Sequence, residues 1–319
     1  MHFSAPAAPP DGAGSPPAPR VGAVLITYNP PGDLPARLQR LAQAELESLV
    51  VVDNASAQPP LAGPARLLRN ADNVGIARAS NQGLQALRES GCTHALLLDQ
   101  DSDIDADCIA RLRAAAMQAP ADALGVVPGL RHPLPEMHCR WPQAVGDARR
   151  AWRFRFIHAR ELRALTPVHV AISSGMLLRL DRMQALGDFD ASLFIDLVDT
   201  DLCLRARTQG WQLYAVPGAW MPHAIGAPAR RGPRGLPMYP THHGAARHYT
   251  LARNRIRLYR RHAARHPFWA AYETLGGVKL AAKVLLFEPG RLRKLAAMLA
   301  GSWAGLRGRG GPAPARWQR

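Results

Sequence analysis

The sequence predicts an α/β fold, a mostly parallel, doubly wound sheet flanked by helices, with a basic helical appendage at its C-terminal end. Three observations predict it. Short continuous apolar runs at 21–27, 48–54 and 94–101 read as strands buried on both faces. Stretches of helical period separate them, and that alternation gives a parallel sheet covered by helices. The net charge of +16 is also segregated. Residues 1–226 carry 21 Lys and Arg against 22 Asp and Glu, whereas residues 227–319 carry 19 against 2. A near-neutral domain is therefore followed by a strongly basic segment.

Residues 1–20 combine Pro, Ala, Gly and Ser with almost no large apolar side chain. They cannot offset the entropy of ordering and read as a disordered leader. They lack the basic start and apolar stretch of a signal peptide, so the expected compartment is the cytoplasm. VGAVLIT (21–27) is the first strand, ended by a Tyr-Asn-Pro-Pro-Gly turn. Leu34, Leu38, Leu41 and Ala42 recur at helical spacing before SLVVVDN (48–54), a second strand that ends in a carboxylate. Residues 65–69 fit a short third strand, 75–90 a helix stopped by Gly91, and HALLLDQD (94–101) a fourth strand. Residues 130–165 are irregular and rich in Arg and aromatic side chains. TPVHVAIS (166–173) reads as a strand leading into Ser-Gly, 200–209 as a helix ended by Gly210, and WQLYAVP (211–217) as a strand.

In such sheets ligands bind at the carboxyl ends of the strands, where Thr27, Asp53, Asp99 and Asp101 fall. Asp99 and Asp101, two residues apart at a strand end, offer paired hard oxygens suited to Mg²⁺ or Mn²⁺ held together with substrate phosphates. A solvated acidic loop capping the next helix is the alternative, because Asp103, Asp105 and Asp107 follow. No dinucleotide glycine fingerprint, phosphate-cradling Gly-Lys loop or serine elbow is present. Cys92, Cys108, Cys139 and Cys203 have no metal-site spacing and read as reduced structural thiols.

The order of segments TYN, VVDNAS, NVGIARASNQG, LLLDQDS, ISSG, FIDLVDTDLCLRA and PHAIG resembles glycosyltransferase family 2, and within it the rhamnosyltransferase-like branch. The resemblance covers about residues 21–260 and rests on ordered motifs at suitable spacing. It implies a GT-A type fold, an inverting reaction and a nucleoside-diphosphate sugar donor, dTDP-rhamnose or a UDP-sugar. By position it implies that Thr27 and Asp53 line the nucleoside pocket, with Tyr28, Asn29, Asn54, Asn73, Gly75 and Gln100 beside them on the donor. Arg78 and Asn81 would face the diphosphate or ribose, and Ser174 and Gly175 would form a close backbone approach to the sugar. Asp99, Asp101 and His223 would hold the metal. Asp199 aligns with the catalytic base; Val198 precedes it where relatives often have Glu, which leaves Asp196 or Asp201 as its acidic partner.

With the leader and the basic segment read above, the chain divides into a disordered leader (1–20), a catalytic domain (21–242), basic amphipathic helices (243–305) and a disordered tail (306–319). Within the domain, 21–129 would bind nucleotide and 130–242 the acceptor, a lipid-linked or polysaccharide glycan of the O-antigen type. In the helical segment, Arg253-Asn254 matches a pair common in relatives, and Arg253 is assigned to the donor. Residues 268–288 are apolar but interrupted by Glu273, Lys279 and Lys283, which suits an interfacial helix rather than a bilayer span. Anionic lipid would attract 268–300, giving a peripheral protein on the inner face of the plasma membrane. The same stripe also fits a helix packed on the domain or on a second subunit. Two other functions use parts of this sequence. A nucleotidyltransferase would share the sheet and aspartates but needs a basic glycine loop after the first strand, where Tyr28-Asn29-Pro30-Pro31 stands. A nucleic-acid-binding protein would use the basic third but leaves the acidic strand ends unexplained, so no nucleic acid partner is expected.

Overall fold

The computed structural model describes residues 18–132, 138–146, 150–222, 230–231, 237–238 and 243–318. Its centre is one sheet. Strand β1 (Val21–Thr27), helix α1 (Leu34–Ala42), β2 (Ser48–Asp53), β3 (Arg66–Arg69), α2 (Ile76–Glu89), β4 (His94–Asp99) and α3 (Ala106–Gln118) follow the predicted alternation. β1 pairs in parallel with both β2 and β4, and β2 with β3. Register places Thr27 opposite Asp53 and Ile26 opposite Asp99, so three strands end at one edge with polar side chains. The β branches and leucines alternate between two cores, one on each face: Ala23, Leu25, Val51 and Leu96 pack with α1 and α3, while Val24, Val50, Val52 and Leu97 pack with α2. That two-sided burial is why these runs are continuously apolar.

The second half extends the same sheet. β5 (Ala123–Arg131), a hairpin of β6 (Arg140–Ala144) and β7 (Phe154–His158), β8 (Thr166–Val168), β9 (Leu177–Arg179), α4 (Leu180–Ala185), α5 (Val198–Thr208) and β10 (Gln212–Pro222) complete it in the order β3-β2-β1-β4-β9-β5-β10-β8. β9 lies antiparallel between β4 and β5, and β8 antiparallel at the edge. The strand expected over 166–173 is thus three residues long. Beyond Val168 the chain leaves the sheet, with His169 buried edge-on against Phe268 at 4.3 Å between ring centroids.

Three helices close the structure: α6 (Ala245–His262), α7 (Pro267–Phe287) and α8 (Arg291–Leu306), before a short α9 (Ala315–Gln318). They do not hang free. Leu258, Phe268 and Trp269 belong to the main core, and a buried Phe contributes roughly 1.5–3 kcal/mol. Gly301 and Gly305 let α8 lie directly on the α6 backbone at Tyr249 and Arg253. Residues 306–318, expected to be a disordered tail, also pack back on the domain. Gly311 donates its backbone N–H to Ser192 O at 2.8 Å and accepts from Arg253. Among the described residues no helix is long and apolar enough to cross a membrane.

Candidate active site

At the carboxyl edge of β1, β2 and β4 the chain lines a cleft of about 660 Å³. Thr27, Tyr28, Asn54, Asn73, Gly75, Asp99, Gln100 and Asp101 all reach it, as does Asp199 from the first turn of α5. Residues far apart in sequence, from Thr27 to Asp199, are brought together because those of the first half sit at strand ends or in the loops beyond them, while Asp199 comes in from the start of α5. The walls are cross-braced. Gln100 Oε1 accepts from the Tyr28 backbone N–H at 2.9 Å, and Asn54 Oδ1 from that of Val74 at 3.1 Å. Ser102 Oγ accepts from Asp99 N–H at 2.9 Å and lies 2.8 Å from Ser174 Oγ, tying the acidic turn to the Ser-Ser-Gly segment.

A second cavity of about 450 Å³ adjoins the first. It is bounded by Trp141 and Cys139 of the β6 region, by Tyr272 and Glu273 of α7, and by Ser174. Asp199 lines both cavities. Its carboxylate accepts backbone N–H bonds from Thr200 at 2.7 Å and Ser173 at 3.3 Å. Burial pushes its pKa up from 3.8 to about 6; those two bonds oppose the rise, and the charges of Asp99 and Asp196 add to it. Asp201, two residues on, is the opposite case. Buried as well, it is held down at about 2 by its bonds to His262, Arg205 and Arg261, and so acts as a permanent anion fastening α5 to α6.

The segment entering α5 is strained. Phe194, Asp196 and Leu197 have φ of +66°, +64° and +60°. For residues with a β-carbon each such conformation costs about 1–3 kcal/mol and persists only where the surroundings impose it. Gly75 is one of those surroundings: a β-carbon on it would meet Phe194 O at 2.6 Å, and its own φ is +83°. Its glycine therefore serves close packing of α2 on this loop. Arg247 of α6, which also lines the cleft, holds Asp196 through Nε at 3.0 Å and a terminal nitrogen at 2.9 Å.

Several residues assigned to the donor lie elsewhere. Asp53 is wholly buried beneath the cleft and bonds Thr27, Ser56 and Arg69, so its acceptor capacity is spent inside the protein. Asn29 staples two loops, accepting from Ala57 N–H at 2.9 Å. Asn81 bonds both backbone groups of Phe189, and with Arg78 it lines a separate groove near β3. The close approach at Gly175 is to Pro128 and Met221. Arg253 is 1% exposed, and burial lowers its pKa to about 10, so it stays charged; it faces Leu193 O and Asn254, away from the cleft. His223 lies outside the described residues.

Two carboxylates, Asp99 and Asp101, therefore converge from one turn, and among the described residues no group of three or more His, Cys, Asp or Glu could hold a metal. This pair, hard and anionic and open to the cleft, fits a divalent cation that arrives with phosphate oxygens completing its shell. Sequence reasoning missed the second cavity, because its wall comes from the irregular 130–165 stretch and from α7. It also missed which arginine of α6 faces the cleft.

The profile described as Glycosyltransferase like family 2 matches residues 43–265. A dTDP-rhamnosyl transferase, RfbF, of Shigella flexneri is 31% identical over 210 residues, 64% of this chain and 69% of that protein. Among solved structures, the mannosyltransferase PcManGT of Pyrobaculum calidifontis, in complex with GDP-Man and Mn²⁺, superposes with a TM-score of 0.53 at 15% identity, over 90% of this chain and 87% of its own. GalNAc-T7, solved with UDP, GalNAc and Mn²⁺, gives 0.51 at 14% identity over 65% of this chain; the chain covers 44% of its length. At these identities the two structures share the fold with this chain.

Proposed function

The chain belongs to Glycosyltransferase like family 2 and has a GT-A type fold, and we propose that it moves L-rhamnose from dTDP-rhamnose onto a hydroxyl of a lipid-linked or polysaccharide glycan of the O-antigen type. The observation that carries the reading is the position of Asp199, on the wall shared by the two cavities. The strand-end cleft takes the nucleoside diphosphate sugar; the adjoining cavity takes the acceptor. The acceptor hydroxyl attacks the anomeric carbon on the face opposite the departing diphosphate, and Asp199 takes its proton. A carboxylate with a pKa near 6 is ionised at neutral pH yet basic enough to accept that proton. Asp99 and Asp101 would hold Mg²⁺ or Mn²⁺, which when bound offsets the charge growing on the leaving diphosphate. The Mn²⁺ in the two similar structures supports that assignment, and the RfbF likeness supports the sugar.

A donor screen with purified protein and Mg²⁺ or Mn²⁺, reading free nucleoside diphosphate, is expected to give most release from dTDP-rhamnose. Release of pyrophosphate from a nucleoside triphosphate would instead identify a nucleotidyltransferase, and a salt-sensitive shift of DNA a nucleic-acid-binding protein.

The same reading includes a cytoplasmic protein held on the inner membrane face. Leu285, Leu292, Leu299 and Trp303 of α7 and α8 are exposed, and Lys279, Lys283, Arg291 and Arg293 accompany them. The two acids of this third of the chain are both used internally, Glu273 by Arg255 and Glu288 by Lys294. An apolar strip with an unopposed basic rim suits an anionic lipid surface. The intact protein should therefore sediment with phosphatidylglycerol vesicles and not with phosphatidylcholine ones, and Leu292→Glu with Leu299→Glu should leave it in the supernatant. Unchanged sedimentation of that double variant would remove this surface from consideration.

A further inference from the structure

The strained loop before α5 has no glycine to relieve it, so something must impose its shape. The imposing group comes from the appendage. Asn254, wholly buried on α6, shares its two amide hydrogens among three carbonyls of the loop: Leu193 O at 2.9 Å, Ile195 O at 2.8 Å and Asp196 O at 2.9 Å. Its orientation is not free. Asn254 Oδ1 accepts from Arg253 Nε at 3.0 Å and from a terminal nitrogen at 2.9 Å, which turns the NH₂ group toward the loop. The same terminal nitrogen of Arg253 reaches Leu193 O at 3.0 Å, and its partner nitrogen bonds Gly311 O. The guanidinium thus links residues 193, 254 and 311.

We infer that Asn254, oriented by Arg253, is a positioning residue that holds the 193–197 loop and so sets Asp199 at the junction of the two cavities. The inference rests on the transfer reading above. Leu197 is the residue from which α5 springs, and Asp201 N–H bonds back to Leu197 O at 3.0 Å, so a shift of the loop carries the first helical turn with it. Asn254 touches neither cavity, and its effect on chemistry passes entirely through this backbone.

Asn254→Asp tests the idea at nearly constant volume. It puts an oxygen where an NH₂ now meets three carbonyl oxygens, while the contact to Arg253 survives. The expected result is a fall in kcat on the order of 10²-fold, the scale of a displacement of about 1 Å at a reacting group. Donor affinity measured by calorimetry should fall far less, and amide exchange at 195–201 should quicken while that of β1 and β4 stays as in the wild type. His248→Gln, a buried residue of the same helix that meets Glu288 at 3.5 Å, serves as the control for a general disturbance of α6. Arg253→Lys, which keeps the charge and loses the fork, is read in the same way if Asn254→Asp does not fold. A folded variant with wild-type kcat and wild-type exchange overturns the inference, as does an equal kcat loss in His248→Gln. If the wild type releases no nucleoside diphosphate, the transfer reading falls, and exchange alone decides whether Asn254 holds the loop.

Discussion

Replacing Asp199 by Asn is expected to lower kcat by roughly 10²–10⁴-fold, the usual contribution of a positioned general base, with donor affinity nearly intact. Asparagine keeps the size of the side chain and can still accept the 2.7 Å Thr200 N–H bond through its one oxygen, giving up the longer Ser173 bond, but it cannot take the acceptor proton. Wild-type kcat should rise with pH through a midpoint near 6, because only the ionised form is a base and burial has raised its pKa to about that value. Stability moves the other way. A carboxyl whose pKa is raised on folding contributes most below its unfolded value, and that contribution is lost as pH rises through the folded one. The window here runs from about 4 to about 6, and the rise corresponds to roughly 3 kcal/mol of differential interaction. Asp199→Asn does not titrate, so at pH 7.5 its Tm should equal or exceed that of the wild type, while near pH 4 the two should converge. Loss of donor binding with turnover preserved would contradict the assignment of the base.

The edge that lines the cleft was legible because three strands each announce themselves by an apolar run that stops in a polar residue. Thr27, Asp53 and Asp99 mark those stops, and a parallel sheet necessarily aligns them. Which of the three faces ligand was not legible. Asp53 and Asp99 have the same local pattern, yet Asp53 is turned under the loops, paired with Arg69 and hydrogen-bonded by Ser56, while Asp99 opens on the cleft. Helix phase caused a similar error on α6. Arg247 and Arg253 are six residues apart, roughly 240° around a helix, so one faces the cleft and the other the interior. Arg253 is assigned to the donor because Arg253-Asn254 matches a pair common in relatives, and a matching pair does not report helix phase. The Gly, Pro and Arg of 306–319 have the composition of a tail; residues up to 318 pack on the domain through bonds of the Gly311 backbone to Ser192 and Arg253, which side-chain patterns do not report. Likewise, the positive φ at Phe194, Asp196 and Leu197 could not be read from residues that ordinarily avoid it.

Removing the metal, or the carboxylates assigned to it, should be the second large effect. With EDTA, transfer should stop, and Mg²⁺ or Mn²⁺ should restore it. The several kcal/mol that a bound cation contributes to a leaving phosphate correspond to roughly 10²–10³-fold in kcat/KM, the loss expected of Asp99→Asn. Asp101, the more exposed of the two, should behave differently: Asp101→Asn should move the metal concentration needed for half-maximal rate upward before it lowers the rate at saturation. Asp99 has a further signature, because its charge is among the causes that raise the Asp199 pKa. In the metal-free protein, neutralising Asp99 should therefore lower the pKa of Asp199, read by titrating that carboxyl directly. A metal titration on the two variants separates a ligand pair from a solvated acidic loop. If both variants respond to metal as the wild type does, the turn after β4 is only a loop.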